Sequence, residues 1–249
     1  MGKAFTLYPA IDLRAGKVVR LRQGDADQQT IYDEDPAARA QRWIEAGAIW
    51  LHVVNLDGAF GADQKENEKA IAAICRVAKS ASVKIQLGGG IRSLEAIKKA
   101  LEQGAARVIL GTAAVEDPHL LEGALAAYGS DRVVLGLDAR DGFLQTHGWV
   151  KQTEVRALDF ARNWAQKGLK WVVYTDTARD GVGTGINSAS TAELVQQSGC
   201  FVIASGGVRS KADVLQARQI GCAGLIIGKA IYDGTLSLKE CIHLGEEIW

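Results

Sequence analysis

The chain has 249 residues, of which 47% are hydrophobic and 23% charged, and its 29 basic residues balance its 29 acidic ones. These proportions are typical of a globular protein, and the lack of a basic excess argues against nucleic acid or a membrane surface as a partner. The sequence contains no apolar run of about 18 residues and no signal peptide, so we expect a cytoplasmic protein.

Apolar segments alternate with helical patterns along the first half of the chain. Asp35 with Pro36, and Asp117 with Pro118, are typical helix starts, with the carboxylate as N-cap and proline at the first helical position. Ser93 is the expected cap of another helix. The predicted strands are 6–13, 49–55, 83–87 and 107–110, and a short strand at 17–22 is expected to continue into a loop. The predicted helices are 36–46, 66–79, 94–103 and 118–128, with a polar loop at 57–64.

The same alternation restarts in the second half of the chain. The predicted strands are 132–137, 170–175, 201–204 and 224–227. The predicted helices are 158–167, 188–197, 211–220 and a closing segment at 236–245. Eight short apolar strands that alternate with helices indicate a parallel sheet with right-handed crossovers.

The second half also repeats the motifs of the first. The glycine motif at 88–93 recurs at 205–210, and segment 11–16 (IDLRAG) parallels segment 137–142 (LDARDG). Two similar halves of four units favour a closed (β/α)8 TIM barrel over an open doubly wound sheet, whose halves require a switch point. The length fits one barrel, and no linker suggests a second domain, so we predict a single domain over 1–249.

The repeated glycines predict two phosphate sites. Glycine at the end of a strand lets backbone N–H groups approach an anion closely. Two such units suggest a substrate with a phosphate at each end, although the same glycines are also expected where turns are merely tight. The first unit contains Gly89, Gly90, Gly111 and Thr112, and the second contains Gly206, Gly207, Gly228 and Lys229.

Two aspartates occupy equivalent places in the two halves, Asp12 at the end of the first predicted barrel strand and Asp138 at the end of the fifth. In an eight-stranded barrel these strands lie opposite each other, and active sites lie at the carboxyl ends of the strands. A pair of carboxylates can act as general base and general acid if their environments separate their pKa values. Each is alternatively a helix cap or turn residue.

Four other positions at the predicted mouth have two interpretations each. Asp180 and Gly181 lie in a glycine-rich loop at 175–185, which is typical of a lid or an anion-binding loop but also of a solvated turn. Trp149 suits stacking on a flat heterocycle or packing on the barrel rim. His52 lies inside an apolar strand, either facing the mouth or satisfied in the core. Lys229 follows a glycine and is either a phosphate ligand or an ordinary surface residue.

The four cysteines are scattered and form no CxxC pair. Buried free thiols are therefore expected rather than disulfides or a metal site.

Seven motifs together resemble a known family of histidine-biosynthesis isomerases, which act on N′-(5′-phosphoribosyl)formimino-5-aminoimidazole-4-carboxamide ribotide. The resemblance covers nearly the whole chain. The motifs are 9–13 (PAIDL), 16–21 (GKVVRL), 51–54 (LHVV), 86–92 (QLGGGIR), 136–138 (GLD), 175–181 (TDTARDG) and 205–208 (SGGV).

The resemblance implies an Amadori rearrangement of an aminoaldose to an aminoketose, on a substrate with two phosphates. It implies that Asp12 is the general base that removes the C2′ proton and that Asp138 is the general acid that assists ring opening. It assigns Arg20, Thr175 and Asp180 to the substrate site, with Trp149 covering the imidazole. The opened substrate is an imine and its own electron sink, so no metal or organic cofactor is expected, and we expect a monomer.

Two relatives of that family share much of the pattern. The cyclase subunit of imidazole glycerol phosphate synthase typically has lysine where this chain has Arg20. The bifunctional isomerase, which also converts phosphoribosylanthranilate, typically has serine in place of Gly88 and an arginine shortly before the loop tryptophan, where this chain has Thr146 and His147. We therefore expect the single-substrate enzyme, with the bifunctional isomerase and a non-catalytic phosphosugar-binding barrel as alternatives. Asn55 departs from the usual aspartate.

Overall fold

The protein, seen here in a computed structural model that describes residues 5–246, contains twelve β-strands and eleven helices within that range. The strands, numbered in chain order, are β1 (Thr6–Arg14), β2 (Lys17–Arg22), β3 (Asp25–Asp33), β4 (Trp50–Asn55), β5 (Lys84–Gly88), β6 (Arg107–Leu110), β7 (Val133–Arg140), β8 (Phe143–Thr146), β9 (Lys151–Arg156), β10 (Trp171–Asp176), β11 (Phe201–Ser205) and β12 (Gly224–Ile227).

Eight of these strands form a closed parallel barrel. They follow one another around it as β1, β4, β5, β6, β7, β10, β11 and β12, each pairing in parallel with the next. The barrel closes because β12 pairs in parallel with β1, where Thr6 lies opposite Gly224 and Pro9 opposite Ile227. The predicted (β/α)8 barrel is therefore confirmed.

Eight longer helices and three short ones connect the strands of the described range. The longer helices are α1 (Pro36–Glu45), α3 (Lys65–Ser80), α4 (Leu94–Glu102), α6 (Pro118–Tyr128), α7 (Ala157–Gln166), α8 (Ser188–Gln197), α9 (Lys211–Ile220) and α11 (Leu238–Glu246). The short helices are α2 (Leu56–Phe60), α5 (Thr112–Glu116) and α10 (Lys229–Tyr232). Within residues 5–246, no helix combines the length and apolar character that crossing a bilayer requires.

The predicted helix caps are present. The Asp35 carboxylate accepts hydrogen bonds from the Ala37 and Ala38 amides at the start of α1. Asp117 caps α6 in the same way, with proline following it. Ser93 accepts from the Ala96 amide at the start of α4. Each cap satisfies amide groups that have no partner inside the helix, so the local sequence determines where these helices begin.

The apolar residues form two separate cores. The larger lies between helices and the outer faces of the strands, and includes Ile74, Ile97 and Leu121, none of which is exposed. The smaller fills the inside of the barrel and includes Val173 and Ile203. Side chains of a strand point alternately to its two faces, so β1, β6, β7, β10, β11 and β12 each contribute buried apolar residues to both cores.

Two antiparallel hairpins extend the barrel strands, and of their strands only β2, at the predicted 17–22, was expected. β1 continues into β2 and β3, so the segment after 17–22 is a strand and not the expected loop. β7 continues likewise into β8 and β9. Asp12 and Asp138 consequently lie two residues before their strands end, at Arg14 and Arg140, instead of at the end.

The remaining differences from prediction are small. The segment predicted as a loop at 57–64 begins with α2, and the short helices α5 and α10 were not predicted. The closing helix spans Leu238–Glu246 instead of 236–245, and β7 extends three residues beyond its predicted end at 137. The other bounds agree with the predicted ones to within one residue.

Asn55 has a structural role at the end of β4. Its side-chain oxygen accepts hydrogen bonds from the Gly58 amide and from Asn67 Nδ2, and its Nδ2 donates to Gln64 Oε1 at 2.8 Å. Asn67, which is fully buried, also donates to the Leu13 carbonyl. The side chain at position 55 therefore caps α2 and connects it to α3, which is why an amide fits there.

We expect Asn55→Asp to fold with a free energy of unfolding within about 1 kcal/mol of the parent, because Gln64 can turn its amide to donate to the new carboxylate. Asn55→Leu should lose about 2 kcal/mol or more, since it leaves the buried Asn67 amide and the Gly58 amide without their acceptor. Urea denaturation followed by circular dichroism measures both.

The exposed Asn163 on α7 provides the control, since Asn163→Leu removes an amide from the surface. Equal losses in Asn55→Asp and Asn55→Leu would contradict the proposed role of the hydrogen bonds.

Candidate active site

A cavity opens at the carboxyl ends of the barrel strands and encloses about 1510 Å³, including the part that is open to solvent. The structure brings all the residues that the sequence analysis selected to this cavity. They are Asp12, Arg20, His52, Gly89, Gly90, Gly111, Thr112, Asp138, Trp149, Thr175, Asp180, Gly181, Gly206, Gly207, Gly228 and Lys229.

Asp12 and Arg20 form an ion pair at one side of the mouth. Arg20 Nη1 lies 2.6 Å from Asp12 Oδ2, and Arg20 Nη2 lies 4.0 Å from Asp180 Oδ1. The three side chains are only 9–18% exposed. Antiparallel pairing of β1 with β2, which places Asp12 opposite Val19, brings Arg20 to this position. One guanidinium therefore serves two carboxylates.

The environment keeps the Asp12 carboxyl easy to protonate. Burial raises the pKa of Asp12, Arg20 lowers it and Asp180 raises it again, which brings it to about 6. Burial also raises the pKa of Asp180, against the effect of Arg20. A carboxyl with a pKa near 6 exchanges its proton close to neutral pH, as a general base or acid must.

Asp138 lies on β7, on the other side of the mouth. Burial raises its pKa, hydrogen bonds from Trp149 and Thr175 lower it, and the Asp180 charge raises it. Thr175 is the neighbour of Asp138 in the β7–β10 pairing. The two aspartates are thus held by different partners, Asp12 by a cation and Asp138 by neutral donors.

Four glycines of the two predicted phosphate units are required by close packing of the backbone. A Cβ on Gly89 would lie 2.2 Å from the Asn55 carbonyl oxygen, and one on Gly207 would lie 2.3 Å from the Gly185 carbonyl oxygen. Gly90 and Gly206 are equally crowded, and all four have positive φ. The tight-turn interpretation therefore holds, and the same turns line the cavity with backbone.

The two predicted phosphate units differ in the cations that lie near them. In the second, a Cβ on Gly228 would lie 2.2 Å from Arg20 Nη2, so the guanidinium rests on this glycine. Lys229 is paired with Asp233, which also accepts a hydrogen bond from the Tyr32 hydroxyl. In the first, the nearby cation is Arg92, which donates to the Ala59 carbonyl at 3.1 Å and lines the cavity.

Arg92 was not among the site residues predicted from the sequence. The signal was available, because Arg92 and Arg209 occupy equivalent positions of the repeat. Gly24 and Phe60 were also missed, since they line the cavity from outside the predicted motifs.

Trp149 lies in the β8–β9 turn and lines the cavity. Its φ is +72°, which is rare for a bulky side chain and indicates that tertiary contacts hold it in place. A Cβ on Gly24, in the β2–β3 turn, would lie 2.5 Å from Trp149 Cε3. The indole thus packs on the opposite hairpin, as one of the two interpretations predicted, and it lines the cavity, while stacking on a heterocycle stays a prediction.

The loop at 175–185 is also held by the β2–β3 hairpin. Gln23 donates from its side chain to the Ala178 carbonyl at 2.7 Å and from its amide to the Asp180 carbonyl at 3.2 Å. A Cβ on Gly181 would lie 2.6 Å from the Leu21 carbonyl oxygen. The glycine therefore permits close contact between this loop and the hairpin.

His52 lines the cavity and is also a satisfied core residue. Its Nδ1 lies 2.8 Å from Gln86 Nε2. Burial and the charges of Arg20 and Arg107 lower the pKa of His52 to about 3, so the ring is neutral at physiological pH. Among the described residues, no cluster of three or more His, Cys, Asp or Glu side chains has a geometry that suits a metal ion.

Comparisons with known proteins show which proteins the chain is similar to. A family model described as "Histidine biosynthesis protein" matches residues 6–237. A protein of Symbiobacterium thermophilum is 47% identical over 241 residues, 96% of each chain, and is a 1-(5-phosphoribosyl)-5-((5-phosphoribosylamino)methylideneamino) imidazole-4-carboxamide isomerase. Isomerases of the same name from Granulibacter bethesdensis and Zymomonas mobilis are each 46% identical, over 93% and 99% of this chain and 94% and 98% of their own.

We expect Arg20→Gln to raise the pKa of Asp12 above its value of about 6, because the guanidinium is what lowers it. Titration of carbon-13-labelled aspartate carboxyls by nuclear magnetic resonance measures the change. Arg22→Gln, which removes an exposed charge two residues further along β2, should leave that pKa unchanged. A pKa of Asp12 that is the same or lower in Arg20→Gln would show that the ion pair does not set it.

Proposed function

The chain belongs to the histidine biosynthesis family and is an isomerase of the Amadori, aldose–ketose type, and from this premise we propose that Asp12 is its general base and Asp138 its general acid. The observation that carries the proposal is the position of two mostly buried carboxylates on opposite strands of one mouth, each with a raised pKa. The substrate we propose is the bis-phosphorylated formimino ribotide, 1-(5-phosphoribosyl)-5-((5-phosphoribosylamino)methylideneamino) imidazole-4-carboxamide.

The reaction begins with ring opening. Asp138 gives a proton to the ribose ring oxygen as the C1′–O bond breaks, and the nitrogen lone pair forms the C1′=N bond. Asp12 then takes the C2′ proton, and that C–H electron pair forms the C1′=C2′ bond while the C1′=N electrons return to nitrogen. The C2′ hydroxyl finally loses its proton and C1′ gains one, which leaves a ketone and an amine. The imine accepts the electrons, so the sequence of steps requires no cofactor.

Arg20 supports the base role of Asp12. It lowers the pKa of a carboxyl that burial alone would raise further, so that Asp12 is ionised near neutral pH. Among the described residues, the groups that act on the pKa of Asp138 include no cation, and burial raises that pKa, which favours the protonated form. Different surroundings therefore assign different roles to two residues of the same type.

The two glycine units support a substrate with two phosphates. Gly89, Gly90, Gly111 and Thr112 would hold one phosphate, and Gly206, Gly207, Gly228 and Lys229 the other, at opposite sides of the cavity mouth. The names of the relatives contain two phosphoribosyl groups, which agrees with this count. Trp149 would cover the imidazole between them. His52, Thr175 and Gly181 complete the proposed substrate site.

We further propose that the chain acts as a single-domain monomer in the cytoplasm. The closed barrel, in which each of the eight strands pairs with two neighbours of the same chain, supports the single domain.

Purified protein should convert the formimino ribotide in the presence of a chelator and should leave phosphoribosylanthranilate unchanged. Both reactions are followed by absorbance. Turnover of both substrates would contradict the role that we assign to Gly88 and the Trp149 turn in specificity. Binding without turnover of either would support the non-catalytic barrel instead.

Asp12→Asn and Asp138→Asn should each lower kcat by about 10²–10⁴-fold, which is the usual contribution of general acid–base catalysis, while the substrate still binds. Steady-state kinetics and calorimetric titration measure the two effects. The exposed Asp131, which pairs with Lys170, supplies the control variant Asp131→Asn. Turnover near the parent level in either mouth variant would remove that aspartate from its proposed role.

The pH dependence of kcat/KM should have an acidic limb near pH 6. The base is active when ionised, and the pKa of Asp12 is about 6, so protonation at lower pH should reduce kcat/KM about tenfold per unit. Initial rates in buffers from about pH 5 to about pH 7 measure this limb. A rate that is constant, or that rises as the pH falls, would contradict the assignment of Asp12 as the base.

A further inference from the structure

A chain of polar side chains crosses the inside of the barrel below the mouth. It consists of His52 on β4, Gln86 on β5 and Arg107 on β6, which are three adjacent strands. Gln86 is fully buried and Arg107 is 2% exposed. Polar groups in such a place are costly unless every one is hydrogen-bonded, so the geometry of the chain carries information.

Arg107 is fixed on all sides. Its guanidinium lies 4.4 Å from the centroid of the Trp50 ring and 4.5 Å from that of Trp171. Its Nη2 lies 3.0 Å from the Tyr8 hydroxyl. The two remaining contacts go to Gln86 Oε1, at 3.0 Å from Nε and 2.6 Å from Nη2. Cation–π contacts and a two-pronged hydrogen bond leave the guanidinium one orientation.

The orientation of Arg107 determines where the hydrogen atoms lie in Gln86 and His52. A guanidinium only donates, so the Gln86 atom that faces it must be the oxygen. The amide nitrogen of Gln86 then faces His52 Nδ1 at 2.8 Å, and since an amide NH2 also only donates, Nδ1 must accept. The His52 ring is neutral, so its one proton lies on Nε2.

The barrel fold itself does not require these three polar side chains. In the second half of the repeat, Trp171 aligns with Trp50, which makes Val173 the counterpart of His52. The glycine motifs align 88–93 with 205–210, and this register makes Ile203 the counterpart of Gln86 and Gly224 that of Arg107. The second half-barrel therefore closes with apolar or absent side chains at all three places. The buried polar chain exists only on the Asp12 side of the barrel, which points to a purpose other than packing.

His52 is next to the proposed base. In the pairing of β1 with β4, Ala10 lies opposite His52 and Asp12 opposite Val54. Side chains two residues apart on a strand point to the same face, so His52 lies one level below Asp12 on the inside of the barrel. Within residues 5–246, Nδ1 is the ring nitrogen that has a hydrogen bond, which leaves Nε2–H for the cavity that His52 lines.

We propose that Arg107, acting through Gln86, holds His52 in the Nε2–H form so that the ring donates a hydrogen bond to the C2′ oxygen of the substrate. The inference rests on the proposed function, since Asp12 removes the proton from the carbon that bears this oxygen. His52 touches the substrate, and Gln86 and Arg107 are positioning residues. A neutral donor next to Asp12 stabilises the oxygen that becomes the ketone without pairing with the base.

The first test is the proton position in the protein without substrate. Long-range nitrogen–proton correlation spectra of histidine-labelled protein, recorded at pH 8.5, should show His52 as a neutral ring protonated at Nε2. The His52→Asn spectrum assigns the signal. A ring protonated at Nδ1, or at both nitrogens, would overturn the proposal whether or not the protein turns over its substrate.

The second test inverts one hydrogen bond. Gln86→Glu keeps the shape and pairs with Arg107, but its second oxygen can only accept, so His52 should move its proton to Nδ1 and present a lone pair to the cavity. We expect kcat/KM to fall about tenfold or more, because the substrate oxygen loses a hydrogen bond and faces the lone pair of the ring instead. Ile203→Val, at the equivalent place of the second half, controls for general disturbance of the interior and should change kcat/KM less than twofold.

The third test shows whether Gln86 acts through His52 or only supports the structure of the barrel interior. In a His52→Asn background, Gln86→Glu should have no further effect on kcat/KM, because it acts through the ring that is gone. Additive losses, or an unchanged kcat/KM in Gln86→Glu despite a moved proton, would overturn the proposal. Absence of turnover in the parent protein, with the Nε2–H signal present, would instead refute the proposed function.

Discussion

The arrangement of charges at the mouth of the barrel depends on the ion pairs of the buried Arg20 guanidinium. It is the cation that contacts Asp12 at 2.6 Å and reaches Asp180 at 4.0 Å. Without it, two mostly buried carboxylates would face each other uncompensated, and such groups take up protons instead of remaining charged. Its plane lies on Gly228, where a side chain of any size would collide with it. The ionisation of the base, the glycine that follows β12 and the β1–β2 hairpin therefore depend on one another.

Much of this was predictable because the chain repeats itself. Asp12 and Asp138 are ordinary strand residues when seen singly, and only their equivalence in the two halves shows that they face each other across a barrel. The same is true of Gly89 with Gly206. Because parallel strands in a barrel end at one rim, a repeat that carries polar residues at strand ends predicts a single mouth. All the residues selected in this way line one cavity, while their roles in binding and catalysis remain predictions.

The parts that sequence reasoning missed are those that depend on tertiary contacts. The strand β3 is mostly exposed and shows no alternation of apolar and polar residues, so nothing in its sequence distinguishes it from a loop. The ion pair of Arg20 with Asp12 arises from the register of a hairpin, which the local sequence does not determine. Likewise, Gln86 and Arg107 lie in strands that look apolar, and their partnership appears only when adjacent strands are paired.

The contact between Gly24 and Trp149 has a consequence for engineering. Each residue belongs to a turn that extends from a different half of the barrel, and an alanine at position 24 would place its methyl group 2.5 Å from the indole. Loops at the mouth of such barrels are often regarded as interchangeable modules on a fixed scaffold. Here the two hairpins fit each other as a matched pair. If a loop from another barrel replaces either hairpin, the other hairpin must therefore be replaced with it. Otherwise the indole loses its packing contact.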